Sequence, residues 1–237
     1  MTADPGLGLH GHPVTLFGHW ICPYSVRVSF ALAERRIPHD VVDVPPTAVR
    51  PPGFVVPDEF VAHSPKGEIP MVRVGGEHRA DSIPVLEWLE TCVSGRPLLP
   101  PGDDDRALVR VRTAWIDAHV FPPMIGIYYG TGHDRIARAS DELATALAVM
   151  GGWLDDADWL AGDGPTLAEA VVVPVYVRLE ALARLGFHGA VDPRVARHAE
   201  RCRGLGGWPA VAWTSAQTDE VVGRFERHRA NIRADRG

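Results

Sequence analysis

The apolar residues follow two kinds of spacing along the first third of the chain. Short runs rich in β-branched or aromatic residues indicate strands, while apolar residues three or four positions apart indicate helices. The predicted strands are 15–17, 40–44, 69–74 and 78–80, and the predicted helices are 25–35, 58–63 and 83–91. Gly75 and Gly76 supply a hairpin turn between the last two strands. The pattern therefore predicts the order β-α-β-α-β-β-α for a first domain at 13–94.

The helix predicted at 25–35 is amphipathic, and the pattern predicts which of its residues meet solvent. Its charged side chains are expected on the solvent side: Arg27, Glu34 and Arg35. At the next predicted helix, Asp81 or Ser82 is a natural N-cap.

A second, all-helical domain is predicted at 104–237, beyond a Pro- and Gly-rich linker at 95–103. Its first helix is expected to carry an apolar stripe formed by Leu108, Val111, Trp115 and Ile116. Pro122 and Pro123 are expected to kink or interrupt the helical path. Further helices are predicted at 134–155, 166–185, 192–203 and from 208 to the end. Thr166 and Glu169 have the spacing of a capping box.

Composition and charge narrow the class of protein. The 237 residues are 46% hydrophobic and 23% charged, which are ordinary globular values. The net charge of −6 argues against general nucleic-acid binding, and no apolar run is long enough for a membrane span. Residues 1–12 lack the basic and apolar regions of a signal peptide. Lys66 is the only lysine and Asn231 the only asparagine, which indicates a GC-rich bacterial source.

The three cysteines point to a reducing compartment and to one candidate nucleophile. Cys22, Cys92 and Cys202 have neither disulfide-framework nor metal-ligand spacing, so a cytoplasmic protein without a metal site is expected. Cys22 follows a predicted strand, and Pro23 opens the next helix. A thiol at a helix N-terminus faces unpaired N–H groups and the positive end of the macrodipole, which favour the thiolate. The alternative is an inert buried cysteine.

Four segments, in this order, resemble the cytosolic glutathione transferase superfamily. Residues 22–25, Cys-Pro-Tyr-Ser, are close to the active-site sequence of omega-class transferases and of glutaredoxins. Residues 64–70 look like the stretch that ends at the family's cis-proline, and 81–83 look like its acid–serine pair. Residues 162–169 look like its helical-domain capping box. The resemblance covers about 14–229 and implies a thioredoxin-like α/β domain followed by an all-helical domain.

The resemblance also implies a site for glutathione and a second site for a hydrophobic small molecule. A cis Ile69–Pro70 bond would turn the backbone of Ile69 outward to pair with an extended peptide. Asp81 and Ser82 would hold the γ-glutamyl group, and Tyr24 would shape the pocket. The residues expected to line the second site are Trp20, Arg112, Trp115, His119, Tyr128 and Tyr129.

Two departures from the omega pattern affect the choice of thiol. Omega-like proteins place a lysine before the cis-proline segment, where it contacts the glycyl carboxylate of glutathione, and Val56 stands at that position here. Lys66, Arg50 and Arg73 are the nearby cations, but none is in register. Mycothiol is the alternative thiol if the source is an actinobacterium.

The cysteine at position 22 implies thiol exchange through a mixed disulfide, acting on an electrophile or on another mixed disulfide. Ser25 replaces the second cysteine of a dithiol mechanism, so a second glutathione would release the product. For His19, a structural role is favoured over proton transfer. The open alternatives are a thiol-dependent isomerase or lyase of specialised metabolism and a non-catalytic ligand-binding or interaction module. The family also implies a homodimer.

Overall fold

The computed structural model describes residues 12–234 of the chain. The predicted leader therefore lies outside the described residues except for His12, and so do the last three residues of the predicted helical domain. The chain divides into two compact units. The first contains the described residues up to Pro100 together with Gly204–Val211, and the second contains Pro101–Arg203 and the described residues from Ala212 onward.

The first unit is built on a four-stranded mixed sheet with the strand order β2-β1-β3-β4. Its strands are β1 (Val14–Gly18), β2 (Asp40–Asp43), β3 (Met71–Val74) and β4 (Glu77–Ala80). Its helices are α1 (Pro23–Glu34), α2 (Asp58–His63) and α3 (Ser82–Cys92), and Thr47–Val49 form one 3₁₀ turn. The predicted order β-α-β-α-β-β-α is confirmed, as is the thioredoxin-like character of the domain.

The connections explain why the sheet is mixed. Helix α1 crosses over between β1 and β2, so these strands run parallel, with Leu16 opposite Val41. Strands β3 and β4 are joined by a two-residue hairpin and run antiparallel. Gly75 in that hairpin has a φ of +60°, a conformation that glycine adopts without steric cost. Strand β1 is central and fully buried, so the residues at its carboxyl end are held in place.

The prediction that the charged residues of α1 face solvent is wrong. Arg27, Glu34 and Arg35 are all buried. Arg35 pairs with Glu90 of α3 at 3.2 Å, and Glu34 accepts a hydrogen bond from Arg96 at 3.2 Å. The amphipathic pattern missed this because a charged side chain can be buried when charged or polar groups inside the fold satisfy it.

The segment Gly204–Val211 packs on the first unit although the sequence prediction placed it in the helical domain. The backbone N–H of Gly207 donates to Glu34 at 2.9 Å. A side chain at Gly207 would meet the carbonyl oxygen of Phe30 at 2.7 Å, so glycine is required for this close approach. Two hydrogen bonds to Glu34, from Arg96 and from Gly207, thus join three separate stretches of the chain.

The second unit is helical and is organised around α7, whose first two turns are entirely buried. Its helices are α4 (Asp103–His119), α5 (Phe121–Tyr129), α6 (His133–Gly152), α7 (Leu167–Arg184), α8 (Pro193–Arg203) and α9 (Ser215–Ala234). The interruption predicted before Pro122 is present, because α4 ends at His119 and α5 begins at Phe121. The capping box of Thr166 and Glu169 is also present. Within the described residues, no helix has the length and apolarity that crossing a membrane requires.

Two predictions for the helical unit are wrong. Helix α4 buries Val109, Thr113 and Ile116, whereas Leu108 and Val111 of the predicted stripe are exposed. The chain from Trp208 is not one helix either. A 3₁₀ turn at Trp208–Ala210 belongs to the first unit, and α9 begins only at Ser215 because 212–214 leave the helical path.

Candidate active site

Cys22 lies at the junction of β1 and α1, as the sequence predicts. It is the N-cap residue of α1, with extended φ and ψ of −81° and 118°, and Pro23 is the first helical residue. Its backbone N–H donates to the carbonyl of His19 at 3.1 Å, which closes the turn after β1. The thiol is therefore fixed at the start of a twelve-residue helix, where backbone N–H groups stabilise negative charge.

The thiol packs against the cis-proline segment. The Ile69–Pro70 bond is cis, as predicted. Cys22 Sγ lies 3.9 Å from the carbonyl oxygen of Ile69, the separation of a weak S–H···O contact. Cys22 is 7% exposed and belongs to an apolar cluster with Phe17, Phe60 and Ile69. Cys22 is therefore packed among apolar residues and keeps a small exposed fraction.

Asp81 and Ser82 occur at the start of α3, but neither makes the capping bond that the sequence suggested. Asp81 is the N-cap residue and has a left-handed φ of 69°, yet its side chain makes no capping hydrogen bond. Its carboxylate lies 3.1 Å from Lys66 Nζ instead. Ser82 Oγ accepts a hydrogen bond from Arg27 Nη1 at 3.1 Å. Ordinary helix capping therefore does not account for this pair, because both side chains are used elsewhere.

Arg27 connects two of the residues predicted to bind the thiol cofactor. Its guanidinium bonds Ser82 and also lies over the ring of Tyr24, 4.8 Å from the ring centroid. Tyr24 is partly buried and packs on the same apolar cluster as Cys22. Tyr24 thus packs with Cys22 on one apolar cluster and contacts the arginine that bonds Ser82. Sequence reasoning missed Arg27, and a buried arginine leaves no periodic signal by which the pattern could have found it.

His19 and Ser25 have positions that fit the roles expected of them. The Nδ1 atom of His19 accepts a hydrogen bond from the N–H of Ile21 at 3.1 Å, and Nε2 lies 3.8 Å from Asp43. These contacts favour a structural role at the strand end. Ser25 lies one helical turn after Cys22 and is 1% exposed. No thiol stands at this position to resolve a disulfide on Cys22.

Of the three cations considered for the glycyl carboxylate, one contacts a predicted cofactor residue. Lys66 bonds Asp81 through both carboxylate oxygens, at 3.1 and 3.4 Å. Arg50 donates to the carbonyl of Pro45, and Arg73 pairs with Glu59 at 3.0 Å. Val56 packs against the apolar cluster near Cys22. Of these three cations, Lys66 is therefore the one that lies beside Asp81, a predicted γ-glutamyl residue.

The predicted pocket residues of the helical unit form two groups, of which the first is on α4. The rings of Trp115 and His119 stack at 4.5 Å, and Trp153 meets Trp115 edge-on at 4.9 Å. Arg112 lies over the ring of Trp153 at 5.1 Å and donates to the carbonyl of Leu160. Trp153 is not among the predicted pocket residues; it lies inside the helix predicted at 134–155 and is the C-cap residue of α6. Trp20, in the first unit, stacks on His19 at 5.6 Å.

The second group is the tyrosine pair on α5. Tyr128 is buried and stacks on Phe225 of α9 at 4.5 Å, and burial raises the pKa of Tyr128. Tyr129 meets Phe225 edge-on at 5.0 Å and His228 at 5.2 Å. The structure therefore brings Tyr128 and Tyr129 together with α9, while Arg112, Trp115 and His119 gather around Trp153. Their role in binding a substrate stays a prediction.

No cluster of three or more His, Cys, Asp or Glu side chains that could hold a metal ion occurs between residues 12 and 234.

Comparisons with known proteins agree with this architecture. Residues 21–92 match the family model of the glutathione S-transferase N-terminal domain. Glutathione S-transferase U11 of Arabidopsis thaliana is 25% identical over 58% of this chain and 56% of its own length. Maleylacetoacetate isomerase of Rhizobium meliloti (strain 1021) is 28% identical over 67% of this chain and 78% of its own length. The matched region thus spans only about half of the plant relative.

A solved structure of a rice glutathione S-transferase in complex with glutathione has the same fold. It superposes with a TM-score of 0.77 at 19% identity, covering 93% of this chain and 97% of the rice chain. A thioredoxin-like unit followed by a helical unit is the class of protein that the fold defines. Residues 21–92 are thus similar to the glutathione S-transferase N-terminal domain, and the described chain has the fold of the rice glutathione S-transferase.

Proposed function

We propose that the protein is a glutathione-dependent thiol transferase in which Cys22 is the nucleophile. The observation that carries the proposal is the position of Cys22 at the N-cap of α1, 3.9 Å from the Ile69 carbonyl, with 7% of the residue exposed. Relatives named as glutathione S-transferases, and the rice structure bound to glutathione, support glutathione as the thiol. Asp81 and Ser82 supply a carboxylate and a hydroxyl for its γ-glutamyl group.

The proposed reaction is thiol–disulfide exchange. The Cys22 thiolate attacks the glutathione sulfur of a mixed disulfide, a new S–S bond forms, and the other thiol leaves as a thiolate that takes up a proton. A second glutathione thiolate then attacks the glutathione sulfur on Cys22. Oxidised glutathione leaves, and the Cys22 thiolate is restored. Because position 25 is serine, the second step depends on external thiol.

The direct test is to incubate the protein with oxidised glutathione and to measure the intact mass. We expect one adduct of glutathione on Cys22, removed by excess reduced glutathione. Cys22→Ser keeps the size of the side chain and should form no adduct at this position. Cys202→Ser, which changes a cysteine in the helical unit, is the matched control and should keep the adduct. An adduct that persists in Cys22→Ser, or a wild type that forms an adduct with neither glutathione nor mycothiol, would remove Cys22 as the nucleophile.

A thiol-dependent isomerase is the second candidate, because several relatives are named as maleylacetoacetate isomerases. In this reaction the thiol adds to a double bond, and rotation occurs about the single bond that results. Elimination then restores the double bond and releases the thiol unchanged. Turnover of maleylacetoacetate in the presence of glutathione, followed by absorbance, tests it. Isomerisation that survives Cys22→Ser would favour this candidate and separate it from disulfide exchange.

The finer assignments remain part of this proposal: a cytoplasmic bacterial enzyme, a homodimer, and a hydrophobic electrophile bound near Arg112, Trp115 and His119. Mycothiol is the alternative cofactor. It should form an adduct on Cys22 in place of glutathione if the γ-glutamyl site is not used.

A further inference from the structure

A buried arginine lies behind the predicted γ-glutamyl site. Arg27 is 1% exposed, on the same helix that begins next to Cys22. Its Nη1 donates to Ser82 Oγ at 3.1 Å, and its guanidinium lies 4.8 Å from the centre of the Tyr24 ring. A charge at this depth is costly unless the groups around it are well bonded. The position of Arg27 beside two candidate cofactor residues suggests a role beyond packing.

The hydrogen bond determines how Ser82 can interact with a ligand. A guanidinium only donates, so Ser82 Oγ must be the acceptor. The hydroxyl proton of Ser82 is then free to point away from Arg27, and the positive charge behind it polarises the O–H bond. Ser82 also opens α3, an eleven-residue helix whose first N–H groups favour a negative charge. Each of these effects makes Ser82 a better donor to a carboxylate.

We propose that Arg27 is a positioning residue for the carboxylate of the thiol cofactor, acting through Ser82. The inference rests on the proposed function. The γ-glutamyl head carries both an ammonium group and an α-carboxylate. Ser82, held by Arg27, donates to the carboxylate, and Asp81 accepts the ammonium group. The site then selects thiols that carry an α-amino-acid head and disfavours thiols that carry a sugar in its place.

Arg35 provides a natural comparison for Arg27. It is a second buried arginine, the C-cap residue of α1, and it also bonds α3, but at the opposite end of that helix. Arg35 pairs with Glu90 at 3.2 Å and donates to the carbonyl of Val93 at 2.8 Å. Both arginines join α1 to α3, whereas only Arg27 bonds a predicted cofactor residue. A purely structural role would make their substitutions behave alike.

The test measures dissociation constants by calorimetry for glutathione and two analogues. One analogue, 4-aminobutanoyl-Cys-Gly, lacks the α-carboxylate, and the other, glutaryl-Cys-Gly, lacks the ammonium group. Arg27→Met should weaken glutathione and the glutaryl analogue about tenfold, the scale of one charge-assisted hydrogen bond. It should leave the aminobutanoyl analogue within about twofold. Ser82→Ala should give the same pattern of affinities. The Arg27→Met/Ser82→Ala double variant should bind glutathione no more weakly than either single variant, because both changes remove the same interaction.

Several controls separate this role from a loss of folding. Arg35→Met should lower the melting temperature but weaken all three ligands equally or not at all. Arg27→Lys keeps the charge and loses the planar fork, so it should recover part of the glutathione affinity. Arg27→Lys also serves as the test if Arg27→Met does not fold. It should still selectively weaken the binding of glutathione and of glutaryl-Cys-Gly, the two ligands that keep the carboxylate of the γ-glutamyl head. Equal weakening of both analogues by the Arg27 variants, or no weakening, would overturn the inference. Wild-type protein that binds none of the three ligands would overturn the proposed function as well.

Discussion

Cys22 and Cys202 are both buried cysteines, but they lie near opposite ends of their helices and among different neighbours. Cys22 is the N-cap of α1 and contacts the backbone carbonyl of Ile69. Cys202 is the penultimate residue of α8, and its sulfur lies 3.8 Å from Nε2 of His198. His198 in turn lies 3.2 Å from Glu169. By residue type alone, Cys202 has the cysteine, histidine and carboxylate set that a nucleophile would need.

The accessibility of Cys202 and the hydrogen bonds around it do not fit a nucleophile. The side chains of His198 and Glu169 are both 0% exposed, and so is Cys202. Both ring nitrogens of His198 are used, since Nδ1 bonds the hydroxyl of Tyr176 at 2.9 Å and Nε2 contacts Glu169. A substrate could not reach this sulfur in the folded protein. A base beside a thiol is therefore not sufficient, and Cys22 is the better candidate nucleophile because it stands at a helix start and keeps 7% exposure, whereas Cys202 keeps none.

Alkylation by iodoacetamide should separate the two cysteines by the largest margin. In the native protein we expect Cys22 to react at least about a hundredfold faster than Cys202, because Cys202 becomes accessible only when the helical unit opens. Quantitative mass spectrometry of the alkylated peptides over time gives both rates. In urea the two rates should converge. Comparable native alkylation rates would contradict the distinction between Cys22, which is slightly exposed, and Cys202, which is fully buried.

The polar network around Cys202 should contribute to stability and not to catalysis. Glu169 accepts from the N–H groups of Leu160 and Thr166, both at 2.7 Å, in addition to His198. His198→Ala leaves the hydroxyl of Tyr176 and one oxygen of Glu169 without this partner, and it also creates a cavity. We expect the free energy of unfolding to fall by about 3 kcal/mol. Urea denaturation measures this loss.

The control for His198 is His188→Ala, since His188 is an exposed histidine of the same unit, 3.5 Å from Asp141. Its effect on the free energy of unfolding should stay within about 0.5 kcal/mol. Thiol-transfer activity per folded molecule should be unchanged in both variants. A His198 variant that folds normally and loses activity would show that the network around Cys202 takes part in catalysis and is not only structural.

The sequence allowed the fold to be predicted well because periodicity and turn chemistry are local. The order of helices and strands, the helix break before Pro122 and the capping box at Thr166 follow from residues close together in the chain, whereas the cis-proline position came from the family resemblance. The buried charges could not be predicted in this way. Arg27 and Ser82 are 55 residues apart, and Gly207 and Glu34 are 173 apart. Only the folded chain brings such partners together.

The candidate site shows the same division. Cys22 was predictable because strand, proline and helix signals flank it directly. Asp81 and Ser82 were identified through a resemblance, with helix capping as the alternative, and the structure shows their side chains bonded to Lys66 and Arg27. Tyr128 was expected near a substrate, yet its ring is stacked on Phe225, almost a hundred positions later in the chain. Periodicity gives the face of a helix and not its packing partner.

Cys92, the third cysteine, is intermediate in burial, and the change in alkylation rate expected there is the smallest of the predicted effects. It is the last residue of α3 and is half-buried, and burial raises the pKa of its thiol. At pH 8 its thiolate fraction should therefore be lower in the native protein than in the unfolded chain, and native alkylation should be several-fold slower. The difference should shrink as the pH rises above the folded pKa of Cys92, because the thiol is then ionised in both states. The raised pKa also means that this group's contribution to folding is complete below the unfolded pKa and is lost as the pH rises through the folded value.

Arg35 gives the means to test that cause. Its positive charge acts against the effect of burial on the pKa of Cys92, so Arg35→Met should move the alkylation profile of Cys92 further toward high pH. The profile of Cys22 should not move with this substitution, since Arg35 bonds Glu90 and Val93 at the far end of α3. Rates measured from pH 7 to 11 on both peptides in one reaction provide the comparison. A Cys92 profile that matches the unfolded chain would show that burial does not control this thiol, and the contrast among the three cysteines would then rest on access alone.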